Sequence, residues 1–197
     1  MRHRLFTRVV TLVLASYVAL PAAAHGARPA RSADTGQPSA CSSARVAVTA
    51  ATVDKASDAT LCLLNRERAS RGLAPLRIDA KLGRVARAHS LDMVRKGYFE
   101  HESRDGRTPF QRMLAARYVP KGASWTLGEN IGWGTEELAQ PAALVKAWMD
   151  SPGHRANILN GRFREIGIGI VPGVPVHDDG LAGQAGATYT TDFGRHS

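Results

Sequence analysis

Trp148-Met149-Asp150-Ser151-Pro152-Gly153-His154-Arg155-Ala156-Asn157-Ile158-Leu159-Asn160 begins as the end of an apolar helix and stops being one at Ser-Pro-Gly. Proline lacks the N–H that the preceding turn needs, so the helix carrying Leu144, Val145, Trp148 and Met149 on one stripe cannot continue through Pro152. His154 and Arg155 follow the break. About twenty residues earlier, Gly128-Glu129-Asn130-Ile131 sets a glutamate between a glycine and an asparagine. It lies in a segment, Trp125 to Trp133, without helical period that reads as a strand. Polar groups at element ends on a rigid scaffold are where sites are usually built.

Towards the N-terminus the pattern is helical. Asp79 caps a helix whose Leu82, Val85, Ala86, His89 and Met93 recur at helical spacing, and Gly97 ends it. His89 falls on that stripe and is expected as a hydrogen-bonded core residue. An earlier helix is expected from a Ser57-Asp58 cap through Leu61, Leu64 and Ala69 to Gly72, with Arg66, Glu67 and Arg71 outside. Thr108-Pro109 opens a short helix with Phe110, Met113 and Leu114 as its apolar face, and Thr135 or Gln140-Pro141 restarts the helix that Pro152 ends. Towards the C-terminus, Glu165 to Val171 and Ala187 to Phe193 are β-prone and read as an antiparallel pair joined by a long loop. In that loop His177, Asp178 and Asp179 form an acidic patch read as solvated rather than as a calcium site. Helices first and strands afterwards mean an α+β fold, an antiparallel sheet covered by helices.

Length and composition suit one folded domain: 197 residues, 44% hydrophobic and 22% charged. Residues 1–24 are set apart as a secretory signal peptide. Arg2, Arg4 and Arg8 precede an apolar run from Val9 to Leu20 that leads into Ala22-Ala23-Ala24, with cleavage expected near Ala24. About a dozen apolar residues fall short of the roughly 20 a spanning helix needs, so no transmembrane segment is expected after cleavage. Residues 25–56 read as a flexible arm and 57–194 as the domain. Losing three arginines lowers the formal charge from +9 to +6. That balance suits an anionic cell envelope as partner. Nucleic acid is not expected, because the arginines, Arg68 among them, are scattered without aromatic interleaving and read as a solvated face.

Cys41 and Cys62 are the only cysteines. In an exported chain one disulfide between them would close a loop of about 20 residues worth roughly 3 kcal/mol; two free thiols are the alternative.

His101, Glu129 and His154 each sit at the end of a different element. Two imidazoles and a carboxylate are a zinc ligand set with room for water, and equally an acid/base pair. The bland alternative has His154 capping the broken helix, Glu129 holding loop amides and His101 exposed. Asn157 is assigned to turn hydrogen bonding and Arg155 to a carboxylate partner. Neither Ser103 nor Ser151 lies in a nucleophile elbow, so a serine hydrolase is not expected.

Leu64-Asn65-Arg66-Glu67-Arg68, Ala88-His89-Ser90-Leu91-Asp92-Met93, Gly97-Tyr98-Phe99-Glu100-His101, Thr108-Pro109-Phe110, Gly128-Glu129-Asn130-Ile131, Ser151-Pro152-Gly153-His154-Arg155-Ala156-Asn157-Ile158-Leu159 and Glu165-Ile166-Gly167-Ile168-Gly169 together resemble the bacterial branch of the CAP superfamily, which includes cysteine-rich secretory, antigen-five and pathogenesis-related proteins. The resemblance covers roughly residues 57 to 194. It implies a three-layer α-β-α sandwich, secretion, and a cleft of two histidines and two acidic residues that binds a divalent metal in some members. His101 and Glu129 carry over, and His154 as the second histidine; His101 and His154 would be the ligands of a divalent metal such as zinc. The fourth position departs from the pattern. Animal and plant relatives place a glutamate three residues after the helix tryptophan, where this chain has Ser151, leaving Asp150 and Glu165 as the nearest substitutes. The expected function is therefore a secreted, monomeric extracytoplasmic binding module. The alternative is a metal-dependent hydrolase of peptide or cell-wall substrates, with Glu129 as the catalytic base.

Overall fold

The computed structural model describes residues 41–176, 181 and 184–197. The signal peptide, residues 25–40 of the arm and the patch at His177, Asp178 and Asp179 lie outside the described residues. The helices are α1 (Val53–Ala69), α2 (Ala80–Lys96), α3 (Pro109–Ala115), α4 (Pro141–Asp150) and α5 (Pro152–Ile158). The strands are β1 (Arg77–Ile78), β2 (Trp125–Thr135), β3 (Glu165–Pro172) and β4 (Gly186–His196), and a 3-10 turn, Glu136–Ala139, precedes α4.

One sheet has the order β1-β3-β4-β2. The pairs β2–β4 and β3–β4 are antiparallel, as the β-prone runs imply, but the sheet is mixed because β1 joins β3 in parallel over two residues. That short edge has no sequence signature of its own. On one face, Leu64 of α1, Leu144 and Trp148 of α4 and Ile158 of α5 bury Ile166, Ile170, Tyr189 and Phe193. Each such side chain withdrawn from water contributes about 1.5–3 kcal/mol. On the other face α2 lies directly on β3: a Cβ at Gly167 would stand 2.0 Å from the carbonyl carbon of Leu82, and one at Gly169 would stand 2.1 Å from the backbone nitrogen of Arg87. Helix and strand backbones can approach this closely only where the side chain is absent. The result is three layers, α2 with α3 on one side and α1, α4 and α5 on the other.

The caps of α2 and α3 are those the sequence specifies. The Asp79 carboxylate accepts from Lys81 and Leu82 N–H at 2.8 and 2.9 Å, and Gly97 closes α2 in the left-handed region. Thr108 and Gln111 form a capping box with Pro109 in the first turn.

Four expectations are corrected. Helix α1 starts at Val53 rather than after Ser57, because Ala56 extends the buried stripe of Ala59, Thr60 and Leu64 backwards. Residues 41–52 are not a loose arm. The Cys41–Cys62 disulfide pins them, Val46 and Val48 pack into the core, and the Ala142 N–H donates to the Ala44 carbonyl at 2.8 Å. On α3 the buried residues are Arg112 and Met113, while Phe110 and Leu114 are exposed. Arg68, assigned to a solvated face, is fully buried; its guanidinium donates to the carbonyls of Ala74, Ile158, Asn160 and Phe163. Among the described residues no helix is long and apolar enough to cross a membrane.

Candidate functional site

Strand β2 is the outer strand of the sheet, and Glu129 projects from it on the α2 face. Gly128 just before it is required by packing, since a Cβ there would meet the Phe163 ring at 2.8 Å on the opposite face. The Glu129 side chain is 2% exposed and both carboxylate oxygens are engaged. Oε1 lies 2.7 Å from His101 Nδ1, and Oε2 accepts from Arg112 Nη2 at 2.5 Å. An ionised carboxylate only accepts, so the proton of this bond sits on His101 Nδ1 and the ring turns Nε2 away. Glu129 is thus an orienting partner for His101, which is half exposed.

Arg112 is the organising residue that sequence reasoning missed. Besides Glu129, its guanidinium reaches the His101 and Arg107 carbonyls and Ser103 Oγ at 2.8, 3.0 and 3.0 Å. One cation therefore neutralises the buried glutamate and fixes the backbone that carries His101. No sequence signal found it: the Thr108 cap marks where α3 begins but not which face turns inward, and packing places residue 112 beside Met113.

From the other side of the sheet, α5 brings His154 to the same edge. Asn130 Nδ2 donates to the His154 carbonyl at 3.1 Å, and Asn157 Nδ2 donates to the Glu129 carbonyl at 3.0 Å and to Asn130 Oδ1 at 2.8 Å. Burial lowers the His154 pKa, and the charge of nearby His101 lowers it further. The break at Ser151-Pro152 starts α5 as a new helix with proline in its first turn, so His154 lies within that turn rather than capping α4. Arg155 bonds the Met149 and Asp150 carbonyls and not a carboxylate.

The two substitute acids are not brought in. Asp150 is exposed and paired with Lys146 at 2.6 Å. Glu165 shares the α2 face but lies two strands over and two residues along, where it accepts from the Tyr118 hydroxyl at 2.5 Å. The acid next to Glu129 is instead Asp192, directly opposite on β4 and completely buried. Among the described residues its oxygens close no well-aligned hydrogen bond. Burial first, and the Glu129 charge second, raise its pKa well above the usual carboxylate range. His89 is buried as expected, with Nε2 3.0 Å from the Glu100 carbonyl, and desolvation lowers its pKa.

The donor set does not fit a zinc centre with three protein ligands. Glu129 is committed to Arg112 and His101, a guanidinium stands where a cation would approach it, and the remaining donors are His101 Nε2 and His154. Among the described residues no group of three or more His, Cys, Asp or Glu side chains could hold a metal. What opens beside His101 is a cleft of about 440 Å³ with a floor of Leu127, Gly128 and Glu129 and walls from Glu102, Thr108, Phe110 and Asn157.

Residues 61–175 match the family described as CAP, the cysteine-rich secretory protein family. The chain belongs to this family. Among its relatives in Bacillus subtilis, the protein YkwD is 47% identical over 109 residues, covering 55% of this chain and 40% of YkwD. The membrane protein YlbC is 33% identical over 110 residues, covering 56% of this chain and 30% of YlbC. The CAP chain therefore spans less than half the length of these curated relatives. Among solved structures, an extracellular SCP-domain protein of Bacillus anthracis aligns with a TM-score of 0.54 and 27% identity over 74% of this chain and 43% of that one. An outer surface protein of Borrelia burgdorferi aligns with a TM-score of 0.54 and 21% identity, covering 68% and 87%, and shares the fold.

Proposed function

We propose that this CAP domain is an exported binding module that holds a polar cell-envelope ligand in the cleft beside His101. The observation that carries this is the double engagement of Glu129. A carboxylate tied to an arginine and an imidazole in a 2% exposed position serves to hold His101 rather than to take protons from water or to ligate a metal. The cleft then offers the His101 Nε2 atom, the Thr108 and Asn157 side chains and the Glu102 carboxylate to a ligand, with Phe110 and Leu127 as apolar walls. The disulfide and the extracellular description of the Bacillus anthracis structure support placement outside the cytoplasm.

The test is an NMR titration of the full chain with solubilised cell-wall fragments, following the His101 and His154 imidazoles. Saturable shifts at His101 that disappear in His101→Ala are expected. Cleavage of the fragments that is abolished by Glu129→Gln would replace the binding reading with hydrolysis, and no shift with any fragment would remove it. Stoichiometric zinc moving both imidazoles would restore a metal site.

A further inference from the structure

We infer that the cleft takes its ligand as an added β-strand: an extended peptide with a basic side chain, paired to the bare end of β2. The inference rests on the binding role proposed above and names the ligand class. Ser124 and Ser197 exchange both backbone hydrogen bonds at 3.1 Å. From that pair the register runs unbroken along β2 and β4, so even-numbered residues of β2 bond β4 and odd-numbered residues turn N–H and C=O outward. Two side-chain contacts obey the same parity. Asn157 caps the outward Glu129 carbonyl, and the Trp148 indole caps that of Ile131 at 2.9 Å.

Those caps cover carbonyls from Glu129 onward only. Among the described residues nothing bonds the outward backbone groups of Trp125 or Leu127, and Leu127 borders the cleft. Alternating donors and acceptors on a strand edge are matched in register by another extended backbone. Side chains of such a strand would alternate between the layers, one set meeting Phe110 and Glu102 and the next meeting Asn157. The Phe110 and Trp125 rings, 41% and 46% exposed with centroids 6.1 Å apart, give the first set an apolar surface. Glu102 is exposed and forms no ion pair among the described residues, although the protein is strongly basic. A free carboxylate at the rim selects a cationic residue.

Random ten-residue peptides displayed on phage are selected against the full chain. Enriched sequences are then made twice, plain and with backbone N-methyl groups at alternate residues. Enrichment of basic and β-branched residues is expected, with slowed amide exchange at Trp125 and Leu127 in the complex. The N-methylated twin should bind at least about tenfold more weakly, the loss that follows from removing two backbone hydrogen bonds. Glu102→Gln should weaken the basic peptides. Equal binding of both twins, amides of Trp125 and Leu127 already as protected as Thr126 in the free protein, or no enriched peptide would each overturn the inference. Peptides that need His101 yet leave both amides unchanged would keep the binding cleft and remove the added strand. Slowed amides with binding unaffected by His101→Ala would do the reverse.

Discussion

Replacing Arg112 with methionine keeps much of the side chain's bulk and removes its charge, which isolates what the guanidinium does. In the folded protein that charge is 8% exposed and faces a carboxylate that is 2% exposed. Removing one member of a buried pair strands the other, which typically costs about 3–5 kcal/mol. The His101 and Arg107 carbonyls lose donors as well. Arg112→Met is therefore expected to lose about 3–5 kcal/mol in urea unfolding at pH 7, followed by tryptophan fluorescence at an unchanged m-value. Glu129→Gln leaves Arg112 with its three other acceptors and should cost less, about 1–3 kcal/mol. The double variant should be more stable than the sum of the two losses, because neither charge is left alone. A loss under about 1 kcal/mol for Arg112→Met, or strict additivity, would mean that water reaches the pair and that Arg112 does not organise the site.

Asp192→Asn tests the buried acid. Its folded-state pKa is raised, so its contribution to stability is complete below the unfolded value of about 3.9 and is lost as pH rises through the folded value. The stability of Asp192→Asn relative to the parent should accordingly grow between pH 4 and pH 7, and a flat difference would contradict the assignment. Removing the disulfide with Cys41→Ser and Cys62→Ser opens a 21-residue separation and should cost about 3 kcal/mol by calorimetry. Gly169→Ala should cost more than about 2 kcal/mol in urea unfolding, because its Cβ would meet α2 backbone at 2.1 Å. Gly83→Ala, in α2 itself, meets nothing within 4 Å and should gain about 0.5–1 kcal/mol.

Helix limits were legible because proline, glycine and capping side chains act through neighbouring residues: Asp79, Gly97, Thr108 and Pro152 all mark boundaries in the structure. The antiparallel strands were legible from β-prone runs. Arg112, Asp192 and Arg68 were not, because their meaning comes from partners that folding supplies. Arg68 bonds carbonyls about ninety residues away, and Asp192 meets Glu129 only through the register of β2 and β4. Residue type alone assigns an arginine to the surface, and only the three-dimensional phase reverses that. The substitutes Asp150 and Glu165 failed for a related reason. Proximity in sequence to the helix end does not decide whether Asp150 turns to solvent, nor does a strand start decide how many strands separate Glu165 from Glu129.

The two side-chain caps on β2 also bear on how the protein stays dispersed. An open sheet invites copies of itself to join along an unprotected margin and grow into fibrils, a process that needs several consecutive residues to hold. With Asn157 and the Trp148 indole occupying the carbonyls of Glu129 and Ile131, the outward backbone at Trp125 and Leu127 is too short a run for two folded copies to zip together. Losing the cap next to it, by Asn157→Ala, would lengthen that run and turn a protected margin into a seed for aggregation.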